Sequence, residues 1–511
     1  MNGFTAPTIE YAALAPILIT FAAAVLGVLV EAFAPRNVRR TIQLWLTFGA
    51  LVAALATATL AWGTEIVAAE GSLAIDGPTL VLQIGILILA LLGAMLFAER
   101  KIDPTGDSFA PQASALPGSF EEVEFTRRGW LQTEVWPLFL FAVTGMLLFP
   151  AANDLLMMFI ALEVLSLPLY LLAGMARRRR LLSQEAALKY FLLGAFSSAF
   201  FLYGAALIYA VTGSIQFGDI YELTGAVVTG GWMLTAGVAL ILVGLLFKVG
   251  AAPFHQWSPD VYQGAPISVT SFMSAATKLA AFGAVARILY VALGGLRWDW
   301  QPILGIVAII SMVVGSVAAL TQTDIKRMLA YSSIAHAGFI LTGITAANAL
   351  GLSGTLVYLV IYGFISLGSF ALISLVRDAA GEASHLSQWA GLGKRSPLVA
   401  ATFALFMLAM AGIPLTSGFT AKFAVFNAAI DGGQTYLAIA GVLASAVAAF
   451  FYVRVIVLMF FSEPAADGPS VVIPSAFTTI AVGVGAALTI LLGVAPQPLL
   501  DLVENAGIFV R

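Results

Sequence analysis

Fourteen apolar runs follow one another along this chain and leave it few possible folds. Each is about as long as, or longer than, the roughly 20 residues that a helix needs to cross a bilayer, and the connections are mostly short and rich in Gly, Pro, Asp and Asn. The runs lie near residues 11–33, 41–62, 78–98, 133–150, 153–175, 185–211, 232–254, 265–293, 301–321, 325–345, 352–376, 397–430, 435–461 and 474–495. In lipid only helices and closed barrels satisfy their own backbone hydrogen bonds. The pattern therefore predicts an all-α polytopic membrane protein with about 14 transmembrane helices. Composition agrees: 60% of the 511 residues are hydrophobic and 10% are charged, against about 25% charged in soluble domains. The absence of cysteine excludes disulfides, thiolate metal sites and iron–sulfur ligation by this chain. Its three histidines, His255, His336 and His385, have no metal-ligand spacing. No basic block with interleaved aromatics suggests nucleic acid. No Lys or Arg precedes the first run, which reads as a retained span and not a cleaved signal.

The basic residues set an orientation. With the N-terminus outside, the inner connections hold 16 of the 24 Lys and Arg, among them Arg36, Arg39, Arg40, Arg100 and Arg177 to Arg180. The outer segments hold Arg297 and Arg511. Both termini are then expected outside. The longest connection, 99–132, reads as a cytoplasmic loop, largely solvated, with Pro104, Pro111 and Pro117 and an acidic run at Glu121, Glu122 and Glu124. It divides a three-helix portion, 1–98, from the rest of the chain.

Six basic residues fall inside spans: Lys189, Lys248, Lys278, Arg287, Lys422 and Arg454. Arg287 and Arg454 lie near span ends, where they are expected to snorkel. Lys189 lies nearer the inner end of its run, where snorkelling is an equal alternative. Lys248, Lys278 and Lys422 sit deep, and an intramembrane charge marks function by default. Lys248 is followed by Gly-Ala-Ala-Pro, which breaks its helix at Pro253, and His255 stands just beyond. A second broken span, MLAMAGIPLTSGFTAKF, carries Pro414 and Lys422. Each is the fourth span of a five-span block, 133–293 and 301–461. Five is odd, so the two blocks enter the membrane from opposite sides, which is the inverted-repeat plan of transporters. The last segment is 474–511. Glu163 is the acidic residue deep in a span, and Lys248 is its expected counter-ion; a static pair fixing helix packing is the bland alternative. Lys278 shares a helix face with Ser271 and Ser274, and His336 with Ser332 and Ser333. A row of buried lysines joined by hydroxyls, histidines and water is a proton path, since a buried lysine exchanges its proton readily.

The stretches FKVGAAPFHQWSPDVYQGAP, TSFMSAATKLAAF, TQTDIKRMLAYSSIAHAGF and AGIPLTSGFTAKF resemble the antiporter-like subunits of respiratory complex I. Large subunits of multisubunit cation/proton antiporters are relatives of that family. The resemblance covers roughly 130–461. It implies that Glu163 and Lys248 form an ion pair, that Lys278 is a central relay and Lys422 a terminal lysine, and that His255 and Lys189 match further positions of the polar axis. Of three homologous subunits, one carries a long lateral helix that this chain lacks. Another has glutamate where this chain has Lys422. The third is therefore the expected match. The resemblance also implies that this chain binds no cofactor itself, and that NADH, FMN, iron–sulfur clusters and quinone belong to partner subunits. Expected partners are the other membrane and peripheral subunits of complex I, including the homologous antiporter-like ones, and the lipid bilayer of a bacterial inner membrane. The same lysines would also serve a sodium/proton antiporter, which is the competing reading. A quinone-holding role finds no separate site.

Overall fold

A computed structural model describes residues 9–103, 106–112, 115–116, 118–129, 131–226, 231–378, 381–464 and 468–510. Pro104, Pro117, Arg511 and the side chain of Glu122 lie outside the described residues. The first three spans are α1 (Tyr11–Phe33), α2 (Arg36–Leu60) and α3 (Gly77–Ala98). A short antiparallel hairpin, β1 (Ile66–Ala68) and β2 (Leu73–Ile75), joins the last two. After the short α4 (Phe120–Arg127) come α5 (Val135–Leu148), α6 (Leu155–Ala173), α7 (Arg180–Thr212), the ten-residue α8 (Phe217–Ala226) and α9 (Gly231–Val249). Next are α10 (Trp257–Gly264), α11 (Ile267–Arg287), α12 (Arg297–Thr321), α13 (Ile325–Thr345) and α14 (Ala349–Ile373). The strands β3 (Val376–Asp378) and β4 (Gly381–Glu382) form a small sheet that β5 (Ser470–Val471) completes. Between them run α15 (Leu392–Arg395), α16 (Pro397–Ala411), α17 (Ser417–Asp431) and α18 (Thr435–Phe461). The chain closes with α19 (Ala476–Val494) and α20 (Gln497–Glu504).

Among the described residues twelve helices are long and apolar enough to cross a membrane. The shorter α5 and the pair α16/α17 supply the remaining two of the fourteen expected spans. The seventh span is longer than the sequence suggests: α10 continues α9 beyond the break, where the residue pattern points to a connection. Side-chain caps start several helices. Asp154 accepts the Met157 amide, Asp324 those of Lys326 and Arg327, and Asn348 that of Gly351. Each satisfies amides that a helix start leaves free. Helices α11, α13 and α14 form the buried centre. Helices α1, α2, α18 and α19 keep exposed apolar faces, as lipid-facing helices do.

Two expectations change. Part of 99–132 is not solvated: Asp103, Asp107 and Phe109 are buried. Arg178 and Arg377 both bond Asp103 at 2.7 Å, and Arg177 bonds Asp107 at 3.1 Å. The segment is held because these carboxylates join the α6–α7 connection to β3, and charge-assisted pairs of this kind fix geometry. Glu99 lies just beyond α3. Burial raises its pKa, but hydrogen bonds from Ser475 and Thr478 and the Lys101 amide outweigh this and hold it below the usual glutamate value.

Arg287 does not snorkel. It is fully buried and bonds both carboxylate oxygens of Asp76 at 2.8 Å, while its Nε donates to Pro150 O at 2.5 Å. The Val510 amide also donates to Asp76, and the Phe509 ring stacks on the guanidinium at 4.4 Å. This ion pair thus fastens Phe509 and Val510 to the start of α3. Removing one partner of a buried pair costs about 3–5 kcal/mol, whereas an apolar replacement of both is nearly neutral. Arg287→Ala is expected to lower the thermal midpoint of the detergent-solubilised chain markedly, and the double change Asp76→Leu with Arg287→Met to recover most of the loss.

Candidate proton-transfer axis

The two broken spans end by the same backbone device. Gly250 follows α9 at φ +70° and Gly412 follows α16 at φ +83°. The Gly250 amide bonds Phe247 O and the Ala251 amide bonds Leu246 O. In the second break the Gly412 amide bonds Ala409 O and the Ile413 amide bonds Leu408 O. Both are Schellman terminations, in which a residue in the left-handed region turns the chain back on the last turn. Only glycine takes that conformation without steric cost. The breaks are therefore made by Gly250 and Gly412, ahead of Pro253 and Pro414.

A Schellman ending leaves the last helical carbonyl without a backbone partner. In α9 that carbonyl belongs to Val249, and Lys278 Nζ donates to it at 2.7 Å. In α16 it belongs to Ala411, and Lys422 Nζ donates to it at 2.9 Å. Each freed carbonyl thus seats a buried ammonium. The seats are alike, but the lysines differ in position: Lys278 comes from α11, the span after the break, and Lys422 from α17, the second half of the broken span itself. Lys248 lies one residue before the end of α9, where the second repeat has Met410.

Lys248 is buried on the opposite side of α9, toward α6 and α7. Its Nζ donates to Ser166 Oγ at 2.7 Å and to Tyr190 OH at 3.2 Å. The rings of Tyr170 and Tyr190 lie 5.8 and 5.3 Å from the ammonium. Tyr190 is itself held by a stack on Trp257 of α10, 4.6 Å away and nearly parallel. Glu163 makes no ion pair with Lys248, contrary to expectation. Its Oε1 is buried without a hydrogen-bond partner, and Ser166, one turn further along α6, occupies the place nearest the ammonium.

Helix α13 joins the two ends of the row. Lys278 also donates to Ser333 O at 3.2 Å. One turn on, His336 Nδ1 meets Tyr358 OH at 2.7 Å and Nε2 meets Tyr452 OH at 3.2 Å. Tyr452 in turn bonds Ser332. Three residues beyond His336, the Phe339 ring lies 4.8 Å from Lys422 Nζ. Lys422 finally donates to Ser445 Oγ at 2.5 Å. Lys248, Lys278, His336 and Lys422 are all buried; hydroxyls contact Lys248, His336 and Lys422, while Lys278 is held by the backbone carbonyls of Val249 and Ser333.

Two expected members lie off this row. Lys189 is not buried: its side chain is 44% exposed and pairs with Glu185 and Asp260, each at 2.7 Å. Asp260 also holds Arg327 of α13 at 2.5 Å, so an exposed ion network links the two repeats across α10. His255 is half-buried in the break, and its Nδ1 has no hydrogen-bond partner. Several contributors are not visible in the sequence. Asp260 is hidden because α10 reads as a loop, and Tyr358, Tyr452 and Ser445 because hydroxyls in apolar helices carry no periodic signal. Ser166 is legible, three residues from Glu163 on one helix face.

Residues 152–488 match the family model for the transmembrane region of NADH:quinone oxidoreductase and Mrp antiporter subunits. The chain belongs to this family. A relative from Streptomyces griseus named NADH-quinone oxidoreductase subunit N 3 is 58% identical, with 100% of this chain and 96% of that protein covered. A chain of respiratory complex I from Thermus thermophilus, solved with bound aureothin, superposes with TM-score 0.77 at 33% identity, covering 96% of this chain and 99% of that one. A chain of the Mrp complex from Dietzia shares the fold, with TM-score 0.80 at 22% identity over 98% of this chain and 97% of the other.

A Cβ added at Gly412 would lie 2.8 Å from Lys422 Cδ and 3.2 Å from Nζ, in a backbone conformation unfavourable to any side chain. Gly412→Ala is expected to move Lys422 off the Ala411 carbonyl and slow proton translocation on the order of tenfold or more. Pumping by the assembled variant in proteoliposomes measures this, and an unchanged rate would show that the seat is dispensable.

Proposed function

We propose that this chain is a membrane-arm subunit of a bacterial proton-translocating NADH:quinone oxidoreductase. In this role protons move along the row Lys248, Lys278, His336 and Lys422, driven by quinone reduction in other subunits. The observation that carries the reading is the pair of freed carbonyls, Val249 O and Ala411 O, each seating a buried lysine. An ammonium so held can release its proton to a hydroxyl or to water and regain one without moving its chain. The charge of each lysine acts on the next through a low-dielectric interior, where such interactions are strong. Glu163, half-buried one turn before the Ser166 that holds Lys248, is the acidic group placed to bias the first lysine. Lys189 and His255 are assigned to the inner approach: Lys189 through its pairing with Asp260, His255 through its place in the break.

Relatives named as subunit N, together with the complex I chain at 33% identity, favour this role over the antiporter one. The Mrp chain, at 22% identity, supports the fold alone. In the proposed assembly NADH, FMN, iron–sulfur clusters and quinone are handled by partner subunits. The basic bias favours both termini on the periplasmic face. The division into 1–98, 99–132, 133–293, 301–461 and 474–511 belongs to the same proposal, with the two central blocks as inverted repeats.

Lys248→Ala or Glu163→Ala is expected to lower both quinone reduction and coupled pumping in the assembled complex, by on the order of tenfold for the lysine. Subunit content should stay unchanged. Wild-type pumping in an assembled Lys248→Ala complex would refute the role.

A further inference from the structure

A small polar chamber lies between the turn that joins α10 to α11 and the segment after α3, on the side of the molecule where Arg177, Arg178 and Arg179 stand. Its volume is about 40 Å³, room for about three waters at roughly 10–15 Å³ each. Ser268 and Ser271 of α11 and Lys326 of α13 line it, and all three are buried. Neither serine hydroxyl has a hydrogen-bond partner. The polar face continues along α11: Ser366 Oγ donates to Ser274 Oγ at 2.8 Å, and Ser274 stands one turn before Lys278. The chamber thus sits at the end of a line of hydroxyls that leads to the central lysine of the row.

Most charged groups of the lining are closed off in pairs. Asp103 holds Arg178 and Arg377, and Asp107 holds Arg177. Arg179 donates to Ser384 Oγ and Glu382 O. Glu99 accepts from Ser475 and Thr478. Lys326 is different. It is 4% exposed, yet its ammonium makes no hydrogen bond or ion pair with any described residue. Asp324 and Glu382 are within its electrostatic reach without bonding it. Asp324 is engaged by the Lys326 and Arg327 amides and by Gln263, and Glu382 also faces Arg178. An unpaired positive charge therefore fronts the chamber. Cation pathways are lined by rings of carboxylates, whereas a fixed positive charge is a barrier to cations. A sodium ion has to enter such a space whole. A proton does not, because it moves by exchange of hydrogen bonds between water and hydroxyls.

We propose that, given the proton row proposed above, Lys326 is a specificity-determining residue outside it: its ammonium keeps alkali cations out of the chamber, so that Ser268, Ser271 and Ser274 serve water and protons alone. The choice between protons and sodium is then made ahead of the lysine row, which has no feature of its own that rejects sodium by charge at the hydroxyl line.

The test uses the assembled complex in proteoliposomes and compares the rate of proton pumping in sodium chloride with that in choline chloride of equal strength. The wild type and Lys326→Arg, which keeps the charge, are expected to pump at one rate in both salts. Lys326→Gln should be slowed by sodium on the order of tenfold, because removing a unit charge from a low-dielectric lining lowers the barrier to a cation steeply. Ser268→Asp keeps Lys326 and adds a carboxylate to the same lining. It lies in the first turn of α11, where an acidic residue is favourable. It should confer the same sodium sensitivity, and it reads the chamber even where Lys326→Gln does not assemble. Ser271→Ala removes a hydroxyl and no charge, and should slow pumping equally in both salts. Subunit content and melting temperature verify assembly. A Lys326→Gln complex that pumps alike in sodium and choline, at whatever rate, would overturn the proposal. So would a wild type slowed by sodium. Wild-type pumping by Lys248→Ala would refute the proton row, an outcome separate from the salt ratio that judges Lys326.

Discussion

A helix that stops inside a membrane must give its last carbonyl a partner. Water cannot supply it in the hydrocarbon region, and an unsatisfied carbonyl there costs several kcal/mol. At Val249 and Ala411 the partner is a lysine ammonium. The two needs answer each other. The carbonyl requires a donor, and the buried ammonium requires an acceptor in place of its lost hydration shell. A broken helix and an intramembrane lysine, each unfavourable alone, form a stable unit together. The unit occurs once in each five-span block, with the lysine coming from the span after the break in the first and from the broken span itself in the second.

The symmetry is incomplete, and the differences lie where direction could be imposed. The first block has a second lysine, Lys248, one residue ahead of the end of α9 and held by hydroxyls of α6 and α7. The second block has Met410 there and a terminal hydroxyl, Ser445, beyond Lys422. Between them α13 carries the link through Ser333, His336 and Phe339, spaced three residues apart along one face. His336 is anchored at both ring nitrogens by tyrosines of α14 and α18. Its position is therefore fixed by hydrogen bonds from two helices, which is what the proposed relay between two lysines would require.

Much of this is legible in the sequence because the membrane simplifies the reading. Apolar length gives spans, and a lysine deep in a span has few bland explanations. Lys248, Lys278 and Lys422 stand out on that ground alone. What stays hidden has equally physical causes. Proline draws attention to Pro253 and Pro414, but a left-handed glycine ends each helix first, and a glycine in a membrane span is too common to stand out. The helix α10 is concealed because WSPDVYQG is polar enough to pass for a loop, and Asp260 goes with it. Charge pairing is tertiary, so neither the Arg287–Asp76 clasp nor the displacement of Glu163 from Lys248 can be read from spacing.

Lys278 is the joint between the first break and α13, so every proton that uses the row must pass it. Its role is tested most directly by the number of protons pumped per quinone reduced in an assembled complex carrying Lys278→Gln, reconstituted into proteoliposomes. Glutamine keeps a donor for the Val249 carbonyl and removes the titratable charge. The expected outcome is that the ratio falls, or that pumping and quinone reduction stop together. A wild-type ratio at a wild-type rate would show that protons do not travel by this row.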